Sequence, residues 1–300
     1  MEQESMNKND AMDLAKKCVE ELAEELQGKE PEAFTRYLDF MGRFHRYSLG
    51  NILMIMKQRP DAEYVAGFRT WKELGRWVKR GEKGIAILAP MIGKRKDDSD
   101  GELDGEKRRE CWGFRAVHVF DVKQTEGADL PSLSEIQGDP GESHRTLQRV
   151  FRSLGIELSH GVLPMGTNGA SSGGRVVIAE GLTIAEEFQV MAHELAHELL
   201  HHGTEWNHRD LPKTVVETEA EAVAYVVCRA HGIDAMAVSN EYIRLYKGEA
   251  KTIEESFGRI LSTASRVLFL MSEVEASGEE ANQEESDWQG AFRVGAGPCA

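Results

Sequence analysis

The sequence predicts an α+β protein of two domains, and three observations carry that prediction. Helical periodicity in the first sixty residues gives way to short strand-like runs after Pro60. A stretch rich in Pro, Gly, Ser and acidic residues, TEGADLPSLSEIQGDPGES, interrupts the chain at 125–143. A second group of helices with one short strand follows it. The expected boundaries are therefore 1–124 for an N-terminal α+β domain, 125–143 for a linker, 144–274 for a C-terminal domain, and 275–300 for an acidic, disordered tail.

The elements can be justified in order. Met12, Leu14, Ala15, Cys18, Leu22 and Leu26 place the first thirty residues on a helix. A second helical stretch starts near Pro31 and closes at Pro60. YVAGF and IAIL read as strands flanking the glycine-bounded helix TWKELGRW, and CWGFRAVHVFDV as a further strand pair. KRKDDSDGELDGEKRRE between them reads as an exposed loop. In the second half HRTLQRVFRSLG is a helix ended by Gly155, GGRVVIAE is a short strand, and a long helix opens near Thr183.

Composition sets limits. No run of 18 apolar residues occurs and the N-terminus lacks an apolar signal core, so neither a membrane span nor secretion is expected. Cys18, Cys111, Cys228 and Cys299 form no CxxC pair, which suits a reducing cytoplasm. The net charge of −15 is uneven: residues 31–96 carry 14 Lys/Arg against 6 Asp/Glu, a local +8. Such a basic segment in an acidic chain is the footprint of an anion-binding module.

MAHELAHELLHH, residues 191–202, holds four of the chain's ten histidines. Thr183 and Glu186 have capping-box spacing, and Ile184, Phe188, Met191, Leu195 and Leu199 share one face, so a helix over about 184–202 is expected. His193 and His197, four apart, project from one face and can share one tetrahedral zinc ion. Glu194 points beside that ion, placed to take a proton from its water: the HExxH pattern of zincins. The metzincin extension fails, because Leu200 and Gly203 stand where it needs Gly and His. His201, His202 and His208 are taken as surface residues. The third ligand is assigned to Glu217 of ETEAEAVAY, with Glu221 as its supporting carboxylate and Glu219 as the rival ligand. Tyr225, His208 and His231 are candidate donors to a developing oxyanion.

GGRVVIAE, FQVMAHELAHELLHH and ETEAEAVAY together resemble the metallopeptidase domain of the ImmA/IrrE group over roughly residues 145–235. The resemblance implies a zincin, a peptide or protein substrate, and an edge strand near Arg175–Ala179 that holds an extended peptide by strand addition.

In the basic segment, Lys57, Arg59, Arg69, Lys72, Arg76, Lys79, Arg80 and Lys83 alternate with Tyr47, Tyr64, Phe68, Trp71 and Trp77. Cations that track phosphates and rings that stack on unpaired bases suit single-stranded DNA, while rings in a core are the alternative. Arg76, Lys79, Arg80 and Lys83 are the expected phosphate contacts, and Tyr47, Phe68 and Trp77 the expected stacking rings. Gly75, Gly81 and Gly84 are read as turn residues. The S-L-x-N at 48–51, V-A-G-F-x-T-W at 65–71, L-G-R-x-V-K-x-G-E-K-G and I-L-A-P are similar to the N-terminal domain of ArdC-type antirestriction proteins over about residues 10–125. That resemblance implies single-stranded-DNA binding ahead of a C-terminal zincin, and an antirestriction role. Two other functions stay open: a DNA-binding protein with a structural or vestigial zinc site, and an ImmA-like protease that cuts a repressor.

Overall fold

The computed structural model describes residues 8–27, 31–94, 109–128, 140–201, 211–233 and 250–294. The chain divides into two compact units, Met1–Ser132 with Tyr246–Glu254 and Leu133–Leu245 with Glu255–Ala300.

The first unit opens with three helices, α1 (Lys8–Gln27), α2 (Pro31–Phe44) and α3 (Leu49–Gln58). Ser48 caps α3 by accepting from the Asn51 amide at 3.4 Å, which satisfies one orphan donor of the first turn. Strand β1 (Val65–Gly67) leads into the short helix α4 (Phe68–Glu73) and strand β2 (Arg76–Val78). The long strands β3 (Ile85–Lys94) and β4 (Arg109–Asp121) follow, then β5 (Thr125–Gly127). β1, β4 and β3 form an antiparallel sheet in that order, and β2 pairs with β5 in a separate ribbon. Ile85, Ile87 and Val119 join Leu22, Phe34, Leu38, Met41, Ile52 and Met54 in the core.

One edge of the sheet is closed by side chains. The Asn51 carboxamide donates to Leu88 O and accepts from Leu88 N, both at 2.8 Å. Gln58 does the same at Ala86, both bonds 2.9 Å. These two amides of α3 substitute for a missing strand along β3 and blunt an edge that would otherwise invite pairing. Pro90 is tolerated on β3 for the same reason, since an edge strand does not need every N–H.

The second unit carries α5 (Pro140–Ser153), β6 (Glu157–Gly161), β7 (Gly169–Ser171), β8 (Arg175–Ala179), α6 (Ile184–Leu200), α7 (Lys213–Ala230) and, from Glu255 onward, α8 (Ala250–Val294). Gly155, at φ +69°, ends α5 as expected, with Ile156 N returning to Phe151 O at 2.9 Å. The sheet order is β6-β8-β7, with β8 parallel to β6 and antiparallel to β7. α6 packs against α5, α7, β7 and β8 through Phe188, Met191, Leu195 and Leu200, all buried. The Glu187 carboxylate adds a polar tie, with His160 Nε2 on β6 at 2.6 Å and His144 Nε2 on α5 at 3.0 Å.

Three expectations are corrected. The predicted linker is partly structured: Thr125–Gly127 pairs with β2, and α5 begins at Pro140; residues 129–139 lie outside the described ones. The predicted disordered tail is helical to Val294. Its Glu, Ala and Gln residues are good helix formers and no proline interrupts Ala250–Val294, so acidity alone was a poor guide. Third, Arg175–Ala179 is the central strand of its sheet, paired on both sides, and β7 is the antiparallel edge strand. The predicted charged loop falls largely on residues 95–108, outside the described residues. Among the described residues no helix is long and apolar enough to cross a membrane.

Candidate metal centre

The capping box at Thr183 is present in both directions and fixes the start of α6. Helical period then brings the two imidazoles together: His193 Nε2 and His197 Nε2 lie 3.0 Å apart. Glu217 arrives from α7, its Oε2 at 3.6 Å from His193 Nε2 and 3.4 Å from His197 Nε2. A tetrahedral ion with bonds of about 2.1 Å needs its ligand atoms about 3.4 Å apart, so these three donors fit one metal ion. Glu217 is held down to about 2, first by the hydrogen bond with His193, with burial opposing and the charges of His197 and His193 helping. A carboxylate kept ionised is the form a cation needs.

The triad sits in a cleft of about 1140 Å³ bounded by Gly166–Ser171, α6 and α7. Glu194 lies beside it and is 6% exposed. Burial raises its pKa, with the charges of Glu217 and Glu198 in the same direction; His193 and a hydrogen bond with Ser171 oppose. Gly169 makes room for that carboxylate: a Cβ there would lie 2.5 Å from Glu194 Oε1 and 2.6 Å from Val190 Cγ1. Gly169 and Ser171 were not legible as site residues, because each acts through a strand whose position only the fold reveals.

The other sequence-predicted residues divide. Glu221 lines the cleft one turn beyond Glu217. Glu219 does not compete for the metal: it is fully buried, accepts from Ser256 Oγ at 2.7 Å and pairs with Arg259 of α8. His201, expected at the surface, lines the cleft with its ring centroid 5.5 Å from that of His197, because the i+8 position returns to the ligand face. His202 and His208 lie outside the described residues. Of the oxyanion candidates, His231 meets Ser143 Oγ at 3.2 Å and packs its ring on Phe188, while Tyr225 is buried in α7. Among the described residues that line the cleft, neither is found.

In the first unit, Phe68 and Trp77 are exposed, at 56% and 54%, as are Lys79, Arg80 and Lys83. Trp71 is fully buried and donates to Phe120 O at 2.9 Å, so it belongs to the core. Tyr47 is half-buried, its hydroxyl donating to Val65 O at 3.2 Å and its ring packed edge-on against Phe44. Arg76 departs from the expected phosphate role: its Nε donates to Thr125 Oγ1 at 2.8 Å and its Nη2 to Thr125 O at 3.2 Å, which locks the β2–β5 ribbon. Lys79 Nζ donates to Lys123 O at 3.0 Å but remains exposed.

Fold and site define a two-unit α+β chain with a candidate His2Glu metal centre in the second unit. Residues 12–120 match the family described as the N-terminal domain of anti-restriction factor ArdC. A Bacillus anthracis protein described as uncharacterised is 28% identical, over 78% of this chain and 47% of its own, so the chain spans about half the length of that relative. The metal-free crystal structure of the antirestriction ArdC protein from plasmid R388 is similar at a TM-score of 0.48 and 19% identity, covering 77% of this chain and 86% of that one. The Mn(II)-bound structure of the same protein gives 0.46 and 18%, over 76% and 84%.

Proposed function

We propose that the second unit is a zincin-type metallopeptidase and the first a single-stranded-DNA-binding module, joined in an antirestriction protein. The observation that carries the reading is the spacing of three donor atoms, 3.0, 3.4 and 3.6 Å apart, with a buried carboxylate one residue from the first ligand. Two imidazoles and a carboxylate suit zinc, held by His193, His197 and Glu217. When bound, the ion supplies a Lewis acid and lowers the pKa of a water towards about 7. Glu194 takes the proton from the attacking water and passes it to the leaving amine; its raised pKa suits both halves of that transfer. β7, an edge strand of its sheet among the described residues, lines the cleft with the small residues Gly169, Ala170 and Ser171 and supports an extended peptide by strand addition. Chelation should therefore stop cleavage of fluorescein-labelled casein and zinc should restore it. A chelated protein that still cleaves would sink the metal-dependent mechanism, and a zinc-loaded one that does not cleave would sink the peptidase reading.

For the first unit, exposed Phe68 and Trp77 among Arg69, Lys72, Arg80 and Lys83 support stacking on unpaired bases. In fluorescence anisotropy with the full chain, a labelled single strand is expected to bind more tightly than its duplex, with log affinity falling linearly in log salt. Phe68→Ala and Trp77→Ala should each weaken binding by about 1–3 kcal/mol, ~5- to 150-fold. Equal affinity for duplex and single strand, or mutants indistinguishable from wild type, contradicts this assignment.

A further inference from the structure

The ligand helix carries a second buried glutamate that the chemistry above leaves unused. Glu198 follows His197, stands one turn beyond Glu194 and is 7% exposed. Its Oε1 accepts from Gly173 N at 2.8 Å and its Oε2 from Gly174 N at 2.6 Å. Gly173 and Gly174 have φ of +73° and +90°, and a Cβ on either would meet nothing within 4 Å. Glycine is needed there for its backbone conformation: two successive N–H groups turn inward and form a small anion-binding concavity. The anion that fills it is the protein's own carboxylate.

That concavity is the turn joining β7 to β8. Ser172 N donates to Arg175 O at 3.0 Å across it, and Glu157 N donates to Gly174 O at 2.9 Å, which ties in the start of β6. Glu194 meets the same hairpin one turn earlier along α6, against Gly169 and Ser171. The ligand helix thus grips β7 at both ends, through two glutamates four residues apart. β7 has three residues, and among the described residues its strand pairing is with β8, Gly169↔Ile178, Ala170↔Val177 and Ser171↔Val176. A strand that short makes few ladder bonds, so its contacts with α6 help to set its height over the cleft.

We propose that Glu198 is a positioning residue for peptide binding: by capping the Gly173–Gly174 turn it sets the cleft's edge strand relative to the metal ligands on its own helix. This inference rests on the peptidase reading. Glu198 touches none of the reacting atoms, so its loss should weaken substrate binding and spare the metal and the proton transfer.

Glu198→Gln tests it, because the amide keeps the volume while turning an NH2 group towards one of the two N–H donors. Three measurements are made on the full chain, with zinc and fluorescein-labelled casein as the probes. Zinc affinity by calorimetry should stay within about threefold of wild type, since no ligand changes. Hydrogen exchange across residues 169–176 should accelerate about tenfold or more as the hairpin opens locally. KM for casein should rise about tenfold with kcat within about threefold, the signature of lost binding rather than lost chemistry. Gly174→Ala strains the same turn while leaving the residues of α6 unchanged, and should give the same split. Unchanged exchange, or faster exchange with unchanged KM, overturns the proposal; so does a loss confined to kcat. A wild-type protein that takes up zinc and cleaves no casein sinks the peptidase reading itself, a result distinct from an active wild type with an unaffected variant.

Discussion

In Glu194→Gln, casein cleavage falls about 100- to 10,000-fold while zinc stays bound, the range expected when one positioned acid–base group is removed. Glutamine keeps the length and shape of the side chain, so the cavity beneath Gly169 remains filled. What disappears is the capacity to accept and return a proton. Burial has already raised the carboxyl of wild-type Glu194, which moves it towards the pH at which it must do both. His193, His197 and Glu217 are untouched, so calorimetry should show zinc affinity within about threefold of wild type. Affinity for single-stranded DNA should not change either. A mutant that cleaves at near wild-type rate would remove Glu194 from the mechanism; one that loses DNA binding would deny the separation of the two functions.

Gly169→Ala is the second large effect, and it reaches the same carboxylate from the opposite side. The added Cβ would stand 2.5 Å from Glu194 Oε1, 2.6 Å from Val190 Cγ1 and 2.8 Å from Glu194 Cγ, so strand or side chain must shift. A misplacement of about 1 Å at a reacting group can cost about 100-fold, and that is the expected fall in kcat/KM. Overpacking of this kind also costs about 1–3 kcal/mol of stability, readable from urea denaturation. The zinc ligands do not move, so metal affinity should hold. Full activity in this variant would show that β7 gives way freely and that the contact with Glu194 positions nothing.

How much of this was legible in the sequence depended on the range of the interaction. His193 and His197 were legible because helical period alone places residues four apart on one face. The capping box at Thr183 and the helix stop at Gly155 are equally local, and both are present. Glu217 against Glu219 was harder, because both lie on one helix and only tertiary packing separates them. Arg259, forty residues later, draws Glu219 to the opposite side, and nothing near Glu219 signals it. The three residues of β7, Gly-Ala-Ser, have no strand propensity; pairing with β8 makes them a strand. The resemblance pointed to RVVIA as the edge, yet its β-branched residues suit the centre of the sheet, where the structure places them.

In the first unit composition was informative and individual roles were not. Trp71 and Trp77 look alike in sequence, yet α4 turns the first into the core and β2 leaves the second 54% exposed. Arg76 reads as one more cation until its bonds to Thr125 are seen. Asn51, conspicuous in the S-L-x-N stretch, is placed on the β3 edge rather than on a ligand surface.

A metal ion held by His193, His197 and Glu217 is tested most directly by calorimetric titration of the chelated full chain with zinc. The expected result is one ion per chain in wild type, with affinity reduced about 10- to 100-fold or more in Glu217→Gln and no comparable loss in Glu219→Gln. A chain that takes up no zinc, or one in which the Glu219 change weakens binding and the Glu217 change does not, contradicts the site as built.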